Sequence, residues 1–360
     1  MFKNSWQALR KNRLKTFLIY VSLTFSIASI FLISSISNGI IGMYSNMLQT
    51  DGDIIVTQKK ISDTFFSNVN ITLLDSIQKL KNVRSASGMI LGASPVASLP
   101  IVAIYGVTSN RFTNYKLIKN SYPLTNEALI GESIYEKLSN KKEVQIADKV
   151  FKISGVFHSD IGFENGGIVL NIQDAGKIFN KSASILLVNS NLNADIKPII
   201  ENIKKLDKNI DVKSTKSFVK NYNQFKIIQT SSKVISLLAF TMGLIGIISI
   251  MSITVNQRRS EFGIKRALGI SMKKIVYSIL SESLILGISS FLSAYLFASI
   301  TLFLIKKAPQ LQGYVNGEIS FELLLWIFIS SLFMVMLGSI LPALNAAKTD
   351  PILLIQGNIS

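Results

Sequence analysis

Val234-Ile-Ser-Leu-Leu-Ala-Phe-Thr-Met-Gly-Leu-Ile-Gly-Ile-Ile-Ser-Ile-Met-Ser-Ile-Thr-Val255 runs for 22 residues without a charge. As a helix it is about 33 Å long, enough to cross a hydrocarbon core of roughly 30 Å. In water, every face of such a helix would have to be buried. Three more runs share the pattern. Phe17–Ile36 has 20 residues and no charge, Ile275–Ile305 has 31 and only Glu282, and Leu323–Leu341 has 19 and none. These runs predict an α-helical membrane protein. Its four transmembrane helices are arranged one plus three, with an extracytoplasmic α+β domain inserted after the first.

Composition agrees. Only 16% of the 360 residues are charged, where a soluble domain carries about 25%. Mean hydropathy is +0.39, with 21 Phe. The absence of cysteine excludes a disulfide scaffold, a zinc ribbon, an iron–sulfur site and a cysteine nucleophile. With His158 as the sole histidine, multi-histidine metal centres are excluded too. The net charge of +17 raises the question of a nucleic-acid partner. Such a partner needs a clustered basic face, and the charge is not distributed that way.

Lys3, Arg10, Lys11, Arg13 and Lys15 precede the first run, and Arg258, Arg259, Lys265, Arg266, Lys273 and Lys274 follow the second. Cations in short loops mark the cytoplasmic side. The segment 38–232 carries 23 Lys/Arg against 16 Asp/Glu, mixed and without a dense block. It is therefore read as translocated. The expected order is a cytoplasmic amphipathic helix over 1–16, TM1 over 17–37 and the extracytoplasmic domain with stalk helices at both ends over 38–232. TM2 over 233–255, a cytoplasmic loop over 256–274 and TM3 over 275–305 follow. An outside loop over 306–320, TM4 over 321–342 and a cytoplasmic tail over 343–360 complete it. Both termini are expected inside a bacterial inner membrane. Ser35-Ile36-Ser37 offers a small-x-small cleavage site, but apolar residues continue at Ile40, Ile41, Met43 and Tyr44, so the first run is read as an anchor rather than a leader.

Within the inserted domain, Asp53–Thr57, Pro100–Val107, Phe151–Phe157, Ile185–Val188 and Asn209–Val212 read as strands. Ile71–Leu80 and Asn193–Leu206 read as helices. The latter sets Ile196, Ile199, Ile200, Ile203 and Leu206 on one stripe. No catalytic constellation emerges. His158 and Asp160 lie in His-Ser-Asp, and a lone His beside a turn is read as structural. The glycines of 162–167 are followed by the strand-like Ile168–Leu170 rather than by the helix a phosphate cradle needs. Gly176-Lys177 lacks the remainder of a nucleotide loop. TM1 is expected to extend outward to about Leu48. No proline interrupts Ser214–Val255, which as one helix would span about 63 Å. A loop near 221–230 is the alternative.

The loop after the second span reads Asn256-Gln-Arg-Arg-Ser-Glu261-Phe262-Gly263-Ile264-Lys265-Arg266-Ala267-Leu268-Gly269-Ile-Ser271-Met-Lys-Lys-Ile275. Ile264, Ala267, Leu268 and Met272 form an apolar helical stripe, and Glu261 and Lys265 make an i,i+4 pair in the favourable order. Gly269 would end the helix and Ser271 would cap the next. A basic loop lying on anionic lipid is the plain alternative. Glu282 is expected near the cytoplasmic boundary, paired with Lys273, Lys274 or a cation at the end of the fourth span.

The run from Glu261 to Ile275 resembles the signature of the MacB/LolC/FtsX-type permeases of ABC transporters, with Glu261, Gly263, Arg266, Ala267, Gly269 and Ser271 matching. Pro342…Ala346-Ala347…Asp350-Pro351 is similar to that family's closing segment, and Trp6–Leu14 to its leading amphipathic helix. Glu127–Glu132 and Lys152–Val156 resemble the MacB-type periplasmic core more loosely.

The resemblance implies a permease that is not itself an enzyme and that docks on a separate ABC ATPase. ATP and Mg would be held by that partner, and no cofactor or metal by this chain. Arg259, Glu261, Phe262, Gly263, Ile264, Lys265, Arg266, Ala267, Leu268, Gly269 and Ser271 would form the coupling element, Glu261, Lys265 and Arg266 making polar contacts to the ATPase. It also implies a homodimer or a heterodimer with a homologous permease, contact with membrane lipids, and a periplasmic or outer-membrane partner in some members. Two outcomes follow. One is export or extraction of an amphiphile such as a lipoprotein, lipid, peptide or drug. The other is an FtsX-like mechanical signal to a cell-wall hydrolase. A 195-residue inserted domain favours the first.

Overall fold

Among the described residues, four helices are long and apolar enough to cross a membrane. They are α1 (Arg13–Asp51), α7 (Asn223–Gln257), α9 (Met272–Lys307) and α10 (Phe321–Lys348). The computed structural model describes residues 13–97, 99–138, 142–159, 164–308 and 317–348. The predicted leading helix up to residue 12, Asp160, residues 162 and 163, the loop 309–316 and Asp350-Pro351 lie outside the described residues.

The described residues fall into two compact units, one holding the four apolar helices and the other a sheet domain within 38–229. In the helical unit, Leu23, Ile27 and Phe31 of α1, Ile247 and Met251 of α7, Ile279, Leu286 and Phe291 of α9, and Met334 and Val335 of α10 share one apolar core. Leu237, Met242, Ile245, Trp326 and Phe333 point outward and are exposed in the protein itself. A surface this apolar suits lipid. Helices α1 and α7 approach through small residues, the geometry by which membrane helices pack without a hydrophobic drive between them. A side chain at Gly246 would come within 2.8 Å of the Ser22 hydroxyl.

Among the described residues the sheet domain has ten strands: β1 (Ile54–Gln58), β2 (Val83–Val96), β3 (Leu99–Val107), β4 (Lys116–Asn120), β5 (Glu127–Gly131), β6 (Glu143–Ile146), β7 (Lys149–His158), β8 (Ile168–Asn171), β9 (Ile185–Ser190) and β10 (Ile210–Ser214). Their order is β10-β1-β9-β2-β3-β8-β5-β7-β4, with β6 also on β7. Pairs β3/β8 and β5/β7 are parallel and the others antiparallel. Alternate residues serve opposite faces. Ile54, Val56, Ile90, Ile104, Leu186 and Val188 enter one core with helices α2 (Leu73–Gln78), α4 (Ile172–Phe179) and α5 (Ile196–Leu206). Ile55, Met89, Leu91, Tyr105, Ile185 and Leu187 enter the other. There they meet Met47 and Leu48 from the end of α1 and Phe218 of α6 (Thr215–Asn221). A four-residue helix, α3 (Glu132–Tyr135), follows β5.

The fold is therefore the expected one, four apolar helices with an inserted α+β domain. The five predicted strands and both helices form, with shifted ends. The 14-residue β2, the spine of the sheet, is absent from the sequence reading, as are β4, β5 and β6. The continuous helix considered over Ser214–Val255 does not form. β10 runs to Ser214, whose hydroxyl caps α6 at Ser217 N–H, and Tyr222 is extended (φ −67°, ψ 123°) between α6 and α7. No proline or glycine breaks the chain there; tertiary contacts of Tyr222 do. Its hydroxyl donates to Asp63 Oδ1 at 2.7 Å and accepts from Thr64 N–H at 3.1 Å. Its ring stacks on Tyr44 of α1 at 6.0 Å. Helix α7 alone is still 35 residues long, about 52 Å.

Candidate coupling site

A single residue, Arg258, separates α7 from the short helix α8 (Arg259–Ala267). At its other end α8 closes with a Schellman turn. Ile270 N–H donates to Lys265 C=O and Gly269 N–H to Arg266 C=O, both at 3.0 Å. Gly269 sits at φ +83°, the left-handed conformation that this cap requires and that costs a side-chain-bearing residue about 1 kcal/mol. Ser271 immediately precedes α9 and its carbonyl accepts from Lys274 and Ile275 N–H. Two sharp joints thus hold α8 across the ends of α7 and α9.

The helix has two dissimilar faces. Phe262 is 1% exposed and shares the helical core with Ala343 and Ala346 of α10, while Gly263 is buried beside it. Ile264 and Leu268 are 53% and 77% exposed. Arg259, Ala267, Gly269, Ser271 and Met272 are exposed with them, and Arg266 is half-buried. The predicted apolar stripe Ile264, Ala267, Leu268, Met272 is therefore real and faces outward. Of the eleven coupling residues named from the sequence, Phe262 and Gly263 belong to the inward face.

A four-member charge network fixes the inward side. Arg258 Nη1 donates to Glu282 Oε2 at 2.7 Å. Its Nε and Nη2 fork onto the two oxygens of Glu261 at 3.1 and 3.4 Å. Lys265 Nζ closes on Glu261 Oε1 at 2.7 Å. The Arg258 guanidinium also lies over the Phe262 ring at 5.0 Å, within cation–π range. Burial by itself would raise the Glu261 carboxyl. The hydrogen bonds from Arg258 and Lys265 outweigh it and hold the group down at about 2.

One expectation is corrected here. Glu282 pairs with Arg258, not with Lys273, Lys274 or the end of the fourth span, because Arg258 sits at the helix junction that faces it. The expected i,i+4 pair of Glu261 and Lys265 is present, and Glu261 also accepts from Arg258. Arg258 is the residue missed by sequence reasoning. The available signal was Glu282 itself, an acid in an apolar run that needs a cation from somewhere.

In the sheet domain, His158 Nδ1 lies 2.7 Å from Glu132 Oε2, both side chains largely exposed. Beside it, Arg111 and Glu164 form a buried pair at 3.0 Å, with Tyr115 hydrogen-bonded to both and Ser159 to Glu164. These groups satisfy one another and read as structure.

Four apolar helices, an inserted α+β domain and a short two-faced helix between the second and third spans define a multi-pass membrane protein of the permease class. The family model for the MacB-like periplasmic core domain matches residues 16–206, and that for the FtsX-like permease C-terminal region matches 233–351. The chain belongs to this family of MacB/FtsX-type ABC-transporter permeases. It is 26% identical over 227 residues to an uncharacterized ABC transporter permease of Methanocaldococcus jannaschii, covering 59% of this chain and 57% of that one. It is 31% identical over 121 residues to the macrolide export ATP-binding/permease protein MacB of Salmonella typhimurium, covering 33% of this chain and 18% of that one. A solved structure, the periplasmic region of MacB from Actinobacillus actinomycetemcomitans, covers 47% of this chain and 92% of its own, at 12% identity and a TM-score of 0.39.

Proposed function

We propose that this chain is the permease subunit of an ABC transporter, that α8 docks on a separate ATPase subunit at the cytoplasmic face, and that ATP-driven motion reaches the extracytoplasmic domain through α1 and α7. The work done there is export or extraction of an amphiphile, of the class of a lipoprotein, lipid, peptide or drug. The observation that carries this reading is the outward face of α8. Ile264 and Leu268 are exposed on a helix whose other face is already satisfied by Phe262 and Arg258. Exposed apolar residues beside Arg259 and Arg266 suit a protein partner's groove. The length of α1, 39 residues, supports transmission beyond the bilayer, since about 20 residues suffice to span it.

The test is co-purification of the tagged chain with its co-expressed candidate ATPase, with ATP hydrolysis measured in nanodiscs. The expected result is a stable complex. The double variant Arg266→Glu/Gly269→Leu should lose most of it, because it reverses a charge at the docking face and forces a side chain into φ +83°. Equal recovery of the variant and the wild type would sink the docking assignment.

A further inference from the structure

The docking face of α8 and the residues that hold α8 to the membrane helices are different sets. Ile264 and Leu268 are exposed, while the Arg258 side chain is 12% and the Glu282 side chain 6% exposed. Along the backbone, α8 joins α9 only through the Gly269 turn, whose Cβ position meets nothing within 4 Å. A glycine turn in open space is a poor lever. Phe262 shares an apolar core with Ile275 and Ile279 of α9, but the directional, polar link from α8 to α9 is Arg258, which holds Glu261 of α8 with one edge of its guanidinium and Glu282 of α9 with a terminal nitrogen.

Resting on the docking reading above, we infer that Arg258 is a positioning residue for coupling: its guanidinium joins Glu261 of α8 to Glu282 of α9, so that displacement of α8 by the ATPase is delivered to the third span. The chemistry needs arginine. A guanidinium presents five donors in a rigid plane and can serve two carboxylates in two directions, while an ammonium is a point charge on a flexible stem. Phe262, beneath the guanidinium plane at 5.0 Å, fixes that plane. Lys265 Nζ also bonds Glu261, at the Oε1 that Arg258 Nη2 reaches, which adds a second restraint on the acid. Formal charge within the group cancels, two cations against two acids, the arrangement that a mostly buried acid needs in a partner set.

The test uses the full chain with its ATPase in nanodiscs and the variants Arg258→Lys, Glu282→Gln and both together. Neither residue lies on the outward face, so recovery of the ATPase should match wild type. Permease-dependent stimulation of ATP hydrolysis should fall about fivefold or more in each single variant, within the range by which coupling residues act. The double variant should be no worse than either single one, as for two ends of one link. A second readout needs no ATPase. The chain has no cysteine, so a single nitroxide at Ser260→Cys reports α8 alone, and its spectrum should show greater mobility in Arg258→Lys. Undiminished stimulation in both single variants would overturn the inference, as would an unchanged nitroxide spectrum or loss of ATPase recovery in step with stimulation. Failure of the wild type to recover any ATPase would strike the docking reading itself, and the nitroxide arm would still decide whether Arg258 holds α8.

Discussion

Glu261 shows how much one side chain is asked to do at the junction. It accepts from Arg258 through both oxygens and from Lys265 through one. Those bonds pull its carboxyl from an ordinary 4.5 to about 2, against the opposing effect of burial. A carboxylate whose folded value is depressed contributes stability that is fully present above its unfolded value. That contribution is lost as pH falls through the folded value. The advantage of wild type over Glu261→Gln in thermal stability should therefore be constant above about pH 4.5 and shrink between there and about pH 2. The acid is more than one-third exposed, so solvent screening keeps the difference small. Parallel melting curves of the two proteins across that window check it. A difference that does not change with pH would mean that Glu261 is not held as a charged acceptor.

At the scale of elements, the break at Tyr222 matters most. The end of α1 and the start of α7 are brought together by Tyr44 and Tyr222, stacked at an interplanar angle of 4°. Phe225 packs edge-on against both. The turn at 64–66 is the third party. Tyr44 reaches the Thr64 hydroxyl at 2.7 Å, and Tyr222 bonds Asp63 and Thr64. The end of α1 and the start of α7, both within the sheet-domain unit, are thus fastened to the same turn. Burial, the leading influence, pushes the Tyr222 phenol up to about 12, so it remains a donor throughout the physiological range. Tyr222→Phe keeps the stack and removes the hydroxyl. Asp63 retains its bond from Phe65 N–H, so the expected cost is about 1–2 kcal/mol. Hydrogen exchange over 63–67 should quicken about tenfold, the equivalent of roughly 1.4 kcal/mol. Unchanged exchange there would mean that the turn is held by its own Asp63 cap.

Across the whole molecule, the sign and spacing of charge set an orientation that can be tested without any partner. In the sequence, one cluster of cations precedes the first span and the other follows the second, while the sheet domain lies between those two spans. In intact cells, a membrane-impermeant thiol reagent should label Lys197→Cys, exposed on α5, and should spare Ser260→Cys, exposed on α8. Permeabilisation should make Ser260→Cys reactive. Labelling of both before permeabilisation would refute a topology with α8 inside.

The sequence by itself determined the four spans, the inserted domain and the short amphipathic helix. Each of these follows from local pattern: uncharged runs of membrane length, a 3.6-residue stripe, a glycine where a helix must end. The outward stripe of α8, the Glu261–Lys265 pair and the Gly269 cap were legible for the same reason, since their partners lie within five residues. What remained hidden depends on partners far along the chain. Strand β2 carries Arg84, Ser85, Ser87, Ser94 and four Ala or Gly residues, so no alternation announces it; pairing with β3 and β9 makes it a strand. The break at Tyr222 exists because Asp63 and Thr64, some 158 positions away, take its hydroxyl. The pairing of Arg258 with Glu282 spans 24 positions and a turn. Periodicity reports which face of an element is apolar; only the packed structure decides which charge, among several within reach, meets the buried acid.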